Sequence, residues 1–498
     1  MFYALIPRER KTRYIAGLAV LVGYLLLLLS YRYPSYAFHG TPITTKPQNV
    51  PNPSVHHELP AIDVPVTHIS ETHTATAYNV PSTEATQSSP LDDVDWVLSS
   101  WMDYPNPLSF QGSPPLLDPA NPKPLNVLLV NDHSGVENEI HAVFHEVLTP
   151  LGVTANITYL QAITEMFEFG ITDEMARKFF FENRDYCNSS LYDVIVVGDV
   201  ISFSRPFLQA ACRTNIILYV TQRFDFGVWG NPEFQQLLTA ASGWPNVRVM
   251  VNNLWEIEYA RKYRNAPLHV FAYTPSTGIL SPGALDIFRG VPHTDLTNIG
   301  MDEFTMGKRD NEEVLQRMCD HLSTTCPIVI PVYNGGPMGI ADRLLVHIPY
   351  QVNTMSLFEN LNHGVLYILP SARLYNLWVD LGIFVIDGRG EGGESWNEAL
   401  TSFVDWWRDD LQPLFFYFEE VRDLAPGSAF HKKVLREAGA KRERVRKYME
   451  HHRSRSLGAW RQALESFHRL SDSKPLRRLS GDPDSLPVAH LPPPVPDM

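Results

Sequence analysis

Cysteine is scarce, with 4 in 498 residues. That is too few for a disulfide-stapled scaffold, so apolar burial has to hold the fold. A basic surplus is also missing. The 41 Lys and Arg are outnumbered by 55 Asp and Glu, giving a net charge of −14. Coating a phosphate backbone needs the opposite balance, so no nucleic-acid partner is expected. Apolar residues, by contrast, are plentiful at 44%, with 11% aromatic. That excludes global disorder, and the length exceeds one ordinary core.

One long run carries no charge: residues 14–31, YIAGLAVLVGYLLLLLSY. As a helix it spans about 27 Å, close to a thin early-secretory bilayer. Arg8, Arg10, Lys11 and Arg13 precede it and only Arg32 follows closely. This bias predicts a cytoplasmic tail over 1–13, a signal anchor over 14–31 and a lumenal remainder, a single-pass type II membrane protein. A cleaved signal peptide is the competing reading, but no small-x-small cleavage site follows the run. Residues 32–124 are rich in Pro, Ser and Thr without apolar period, and read as a disordered stem. The tail 471–498 is again Pro-rich. Sequence distance favours pairing Cys187 with Cys212 and Cys319 with Cys326, with four free thiols as the alternative. The sequons at Asn156 and Asn188 fit a lumenal face.

From Leu125 the pattern changes. Short continuous apolar runs at 126–130, 193–197, 215–220, 247–251 and 269–273 have the form of buried parallel strands, separated by helical periodicity. Each ends in polar or glycine residues, where open α/β sheets place ligands. A second series follows an irregular stretch at 284–310. It has a helix at 311–321, strands at 327–332, 344–348, 365–369 and 414–418, and a short helix at 356–362. The expected fold class is α/β, with one Rossmann-like domain over 125–283 and a second over 284–425. Residues 426–470 form a basic helical segment that either packs on the body or meets anionic lipid or an acidic partner.

The run Met355–Ser371, MSLFENLNHGVLYILPS, holds Glu359 in a short helix, then Gly364, a strand and Pro-Ser. It resembles the donor-nucleotide segment of GT-B glycosyltransferases. Tyr333-Asn-Gly-Gly-Pro337 resembles a glycine-rich loop of the same domain, and 131–138 the first strand-to-helix loop of the other. The runs Thr221–Phe226 and His347–Gln351 look like those of fungal members. With the apolar anchor and stem, the whole resembles Golgi glycosyltransferases. The resemblance implies two Rossmann-like domains facing a cleft. It also implies transfer of a sugar from a nucleotide-sugar donor to a glycan, glycoprotein or glycolipid, without a metal or other cofactor. Retaining members often carry a second glutamate eight positions before the first. Here that position is Gln351, so the second contact is not carried over.

On this resemblance Glu359 accepts the ribose hydroxyls, Gly335 and Gly336 approach the diphosphate, and Tyr350, Gln351 and Ser371 complete the donor side. His133 and Asp132 are the catalytic candidates, histidine being a base suited to neutral pH. Capping or surface roles are the alternatives. Arg223, Asp225, Asn252 and Asn253 could meet phosphate or acceptor, or could form an internal ion pair and a helix cap. No metal site stands out. Asp93-Val-Asp95, an Asp-x-Asp run, lies in or beside the stem, before the first strand. A non-catalytic glycan-binding or complex-forming relative and a sugar-nucleotide epimerase are the rival functions.

Overall fold

The computed structural model describes residues 113–131, 133–161, 172–182, 184–187, 191–228, 231–290, 296, 298–307, 312–330, 336–350, 354–381, 383 and 403–469. The run 14–31, residues 32–112 of the expected stem and the tail 471–498 lie outside them. Among the described residues no helix is long and apolar enough to cross a membrane. All described residues belong to one unit, Ala85–Met498.

The first half alternates strand and helix. β1 (Leu125–Asn131) leads through α1 (Ser134–Leu148) to β2 (Ala155–Gln161), and α2 (Asp173–Glu182) returns to β3 (Val194–Gly198). Then follow α3 (Arg205–Gln209), β4 (Asn215–Val220), α4 (Pro232–Ser242), β5 (Val247–Val251), α5 (Trp255–Tyr263) and β6 (Val270–Tyr273). The strands form one parallel sheet in the order β2-β1-β3-β4-β5-β6. β3 and β4 are buried along their whole length, which is why they read as apolar runs without alternation.

The second half begins with α6 (Pro282–Gly290) and β7 (Phe304–Gly307). It continues through α7 (Glu312–His321), β8 (Ile328–Ile330), α8 (Gly336–Gly339), β9 (Leu344–Val346), α9 (Met355–Asn362), β10 (Leu366–Pro370), α10 (Ala372–Asp380) and β11 (Phe416–Phe418). These strands make a second parallel sheet, β11-β10-β9-β7-β8. Two parallel α/β sheets are the architecture the sequence predicts.

Two boundaries differ from expectation, and one open alternative is decided. Residues 284–310 are not merely irregular, because β7 lies between β9 and β8 inside the second sheet. Its four residues, Phe-Thr-Met-Gly, are too short for a continuous apolar run and acquire their pairing from neighbours. The stem does not extend to residue 124: Leu116 and Leu117 are buried, and the Leu116 amide donates to the Phe467 carbonyl at 2.8 Å. The basic segment is part of the body. It forms α11 (Ala429–Glu465), 37 residues and about 55 Å long, capped by Ser428, whose side chain accepts from the His431 amide.

α11 serves both halves. Val434, Ala438, Val445 and Met449 lie in a core that runs continuously through both sheets. Trp460, Ala463 and Leu464 enter a second core with α1 and the other face of the first sheet. The Trp460 ring lies 5.1 Å from Tyr219 and 6.2 Å from Phe144. The disulfides are Cys187–Cys212 and Cys319–Cys326, with Cα separations of 5.2 and 5.6 Å, the pairing that sequence distance favours.

Trp460→Ala should therefore destabilise the first half from a position more than 180 residues beyond its last strand, by about 3–5 kcal/mol. Chemical denaturation measures this; a loss below about 1 kcal/mol would show that the end of α11 is not core.

Candidate active site

β1 sits between β2 and β3, so the chain leaves β1 to one side and resumes at β3 on the other. The loops after β1 and β3 part at this switch point and open a crevice at the carboxyl ends of the strands. His133 and Asp199 flank it. His133 is exposed and is the N-cap of α1, with the Gly135 amide donating to its Nδ1 at 3.1 Å. Glycine at 135 makes room for this, because a Cβ there would stand 2.9 Å from His133 Cε1. Asn131 donates through Nδ2 to the His133 carbonyl at 2.8 Å. Its Oδ1 is buried and has no hydrogen-bond partner among the described residues.

Asp199 is buried and left-handed, at φ 64°, a conformation Asp tolerates better than most residues. Its Oδ1 accepts from Gln222 Nε2 at 2.6 Å and Thr221 Oγ1 at 3.3 Å. Burial raises its pKa, while the charge of His133 and these two bonds act the other way.

The second half presents α9 to these tips. A Cβ at Gly135 would be 3.7 Å from Met355 Cβ, and Asn252 Nδ2 lies 3.5 Å from Met355 Sδ. One turn on, Glu359 Oε1 accepts from Asn138 Nδ2 of α1 at 3.3 Å. Next to Asn138, Glu139 is fully buried and accepts from Ser276 Oγ at 2.8 Å, the Thr277 amide at 2.7 Å and Thr277 Oγ1 at 3.1 Å. Burial, then the charge of Glu139, pushes Glu359 up to about 7. Burial likewise pushes Glu139 up to about 7 against its three bonds.

The structure brings His133, Asn252 and Glu359 to this region and takes others away. Arg223 is ion-paired with buried Glu256 and lies over the Tyr259 ring. Asp225 is fully buried against Arg264 Nε at 2.8 Å and Tyr259 Oη at 3.1 Å. The internal ion-pair alternative therefore holds for both, because Arg223 already has a buried carboxylate partner and Asp225 an arginine within the protein. Asn253 accepts from the Glu256 amide at 3.1 Å, the capping alternative. Gly336, at φ 55°, packs against the Phe288 ring. Ser371 caps α10 by accepting from the Leu374 amide, and donates to Glu419 at 2.8 Å. Tyr350 is half-buried beside His347, with ring centroids 5.9 Å apart. Asn156 is exposed on β2. Asp132, Asn188, Gly335 and Gln351 lie outside the described residues.

Sequence reasoning missed Asp199, Glu139 and a third polar cluster. In that cluster Arg408 is bonded to Tyr273 of β6, to Asp405 at 3.0 Å and to Asp410. Glu139 did leave a signal: it sits among the apolar positions Val136, Ile140 and Val143 of α1, on the face that must be buried.

No family model matches the chain, and no curated protein matches it. Among solved structures it is similar to the glycotransferase of kitacinnamycin, at 12% identity and a TM-score of 0.32 over 69% of this chain and all of that one. It is also similar to the glycosyltransferase VinC, solved in complex with DTDP, at 11% and 0.33 with the same coverage. The fold assignment rests on the strand order above.

Glu139, Glu359 and Asp405 each rise to about 7, from 4.5, 4.5 and 3.8. Folding therefore takes up protons between the ordinary carboxylate range and about pH 7. The resulting stability is full below that range and is lost as pH rises through about 7. His452, buried and lowered from 6.5 to about 3, acts oppositely, its contribution being lost as pH falls below 6.5. Three groups outweigh one between pH 8 and 6. The melting temperature should rise on acidification across that window, and Glu139→Gln or Glu359→Gln should flatten the rise. A wild-type melting temperature that falls from pH 8 to 6 would contradict the assignment.

Proposed function

We propose that this protein is a glycosyltransferase that moves a sugar from a nucleotide-sugar donor to a hydroxyl of a glycan, glycoprotein or glycolipid. The observation that carries it is the apposition of α9, which bears Glu359, to the switch-point crevice that holds His133 and Asp199. Glu359 leaves Asn138 and accepts the ribose hydroxyls, while the N-terminal end of α9 takes the leaving diphosphate through its amides and dipole.

In an inverting displacement the acceptor oxygen bonds to the anomeric carbon as the bond from that carbon to the diphosphate oxygen breaks. The acceptor proton passes to His133, and Asp199 offsets the charge of the imidazolium. With Nδ1 accepting from Gly135, the neutral ring carries its hydrogen on Nε2. Base duty thus requires the ring to release Gly135 and to place its free lone pair toward the acceptor.

The two disulfides support an oxidising compartment, and with it the lumenal, Golgi-type placement behind a 14–31 anchor. Asn156, exposed on β2, and Asn188 are then carriers of N-linked glycan. A non-catalytic partner with this architecture is the second reading, favoured by the use of His133 as a helix cap.

A panel of nucleotide sugars, scored by thermal shift on the full chain, tests the transfer reading. One donor should stabilise the protein, by about 2.7 kcal/mol at a hundredfold excess over its Kd. Glu359→Ala should lose the shift. His133→Ala should bind the donor yet transfer at least about 100-fold more slowly. Asp199→Asn, which keeps the left-handed backbone, should lower kcat with donor Kd unchanged. No shift with any donor favours the non-catalytic partner.

A further inference from the structure

A second cavity, of about 780 Å³, lies beside α11 where the chain crosses between the halves. One wall is the connector Gly278–Leu280 with Leu285 of α6, and another is the end of α9 from Leu361 to Gly364. α11 supplies the third, through Arg442, Arg446, Met449 and Arg453. At 100° per residue these four positions fall within about 60° of one another, a single stripe about 16 Å long.

The arginines are not equivalent. Arg446 is paired with Glu443 and Glu450 at 2.7 and 2.5 Å. Arg442 donates to the Gly364 and Asp342 carbonyls and lies 3.6 Å from the Asp342 carboxylate. Arg453 is half-buried and makes no hydrogen bond or ion pair among the described residues. Arg442 and Arg446 are thus already matched by Asp342, Glu443 and Glu450, and at the end of the stripe Arg453 has no carboxylate partner among the described residues. Leu280, Leu361 and Met449 are buried and give the cavity an apolar floor.

We propose that this cavity binds a phosphate-bearing amphiphile. Arg453 takes the phosphate in a forked, charge-assisted contact, and the apolar floor takes an adjoining alkyl part. Neither the crevice at His133 nor the transfer reading enters this assignment. Since the cavity touches the connector, α9 and α11 together, its ligand braces the joint between the two halves.

The probe is hexyl phosphate, titrated calorimetrically into the full chain in neutral detergent. Inorganic phosphate and hexanol serve as the two half-ligands. Hexyl phosphate should bind at least about tenfold more tightly than either, and Arg453→Gln should weaken it by about tenfold or more, the scale of one charge-assisted contact. Arg436→Gln, an exposed site on α11 paired among the described residues with Glu437, should bind as wild type. Because Arg453 has no internal partner, Arg453→Gln should melt as wild type, so lost binding is not lost folding. Equal binding of hexyl and inorganic phosphate, unchanged binding by Arg453→Gln, or an equal loss in Arg436→Gln would each overturn the proposal. Flotation with phosphatidylcholine vesicles containing phosphatidic acid, abolished by Arg453→Gln, identifies a lipid headgroup as the source. Binding of soluble hexyl phosphate without flotation identifies a free metabolite.

Discussion

The Glu139 carboxylate is the constraint on which the arrangement of the two halves depends. It is fully buried on α1 and accepts three bonds from Ser276 and Thr277. Those residues begin the connector from the first sheet to the second. The same connector is held from the far side by His452 of α11, whose Nε2 donates to the Ser276 carbonyl at 2.8 Å. His452 stacks on Phe358 of α9 at 4.1 Å. Gly278, at φ 69°, presses on Phe358 so closely that a Cβ there would stand 2.6 Å from its carbonyl carbon. A buried carboxylate is tolerable only when its acceptor sites are filled. Moving the connector would strand it, so α1, α9 and α11 are fixed to one another through a few residues.

Much of the fold was legible because both sheets are parallel and covered, which turns their strands into uninterrupted apolar runs. The spans 215–220 and 247–251 coincide with β4 and β5 for that reason. What stayed hidden is what local pattern does not encode. β2 is an edge strand with exposed polar residues, and β7 is four residues held by its neighbours. The basic composition of 431–470 gave a helix with a charged face but left open whether it packs on the body or meets lipid or an acidic partner, because charge on the outer face of α11 outnumbers the thinly spaced core positions beneath it. A 37-residue helix needs only one residue in three or four on its inner face to be an integral wall.

The candidate site was legible to a lesser degree, and the failures have one cause. Arg223 and Asp225 follow a strand tip, as a ligand-binding pair would, yet Glu256, Tyr259 and Arg264 satisfy them internally. Sequence places residues at strand ends; it does not show whether their partners are protein or ligand. Satisfaction is the discriminating property. Among the described residues Asn131 Oδ1 is buried without a partner, and His133 is exposed beside it with a backbone amide at Nδ1. Both lie at the tip of β1, whereas Arg223 and Asp225 have their charges matched by protein partners.

Glu359 extends the same logic to the second half. Among the described residues its one side-chain hydrogen-bond partner is Asn138, at a long 3.3 Å, and it feels the charge of Glu139 nearby. Two carboxylates with one weak amide contact at the second are a poor resting arrangement when both are ionised. A group offering two hydroxyl donors would satisfy Glu359 better than Asn138 does and lessen the cost of its proximity to Glu139. The like-charge pair is thus a source of affinity for a donor of hydroxyl hydrogens, while the clamp at Ser276 and Thr277 stays intact. A sugar diol at Glu359 would relieve that cost without requiring the connector to move.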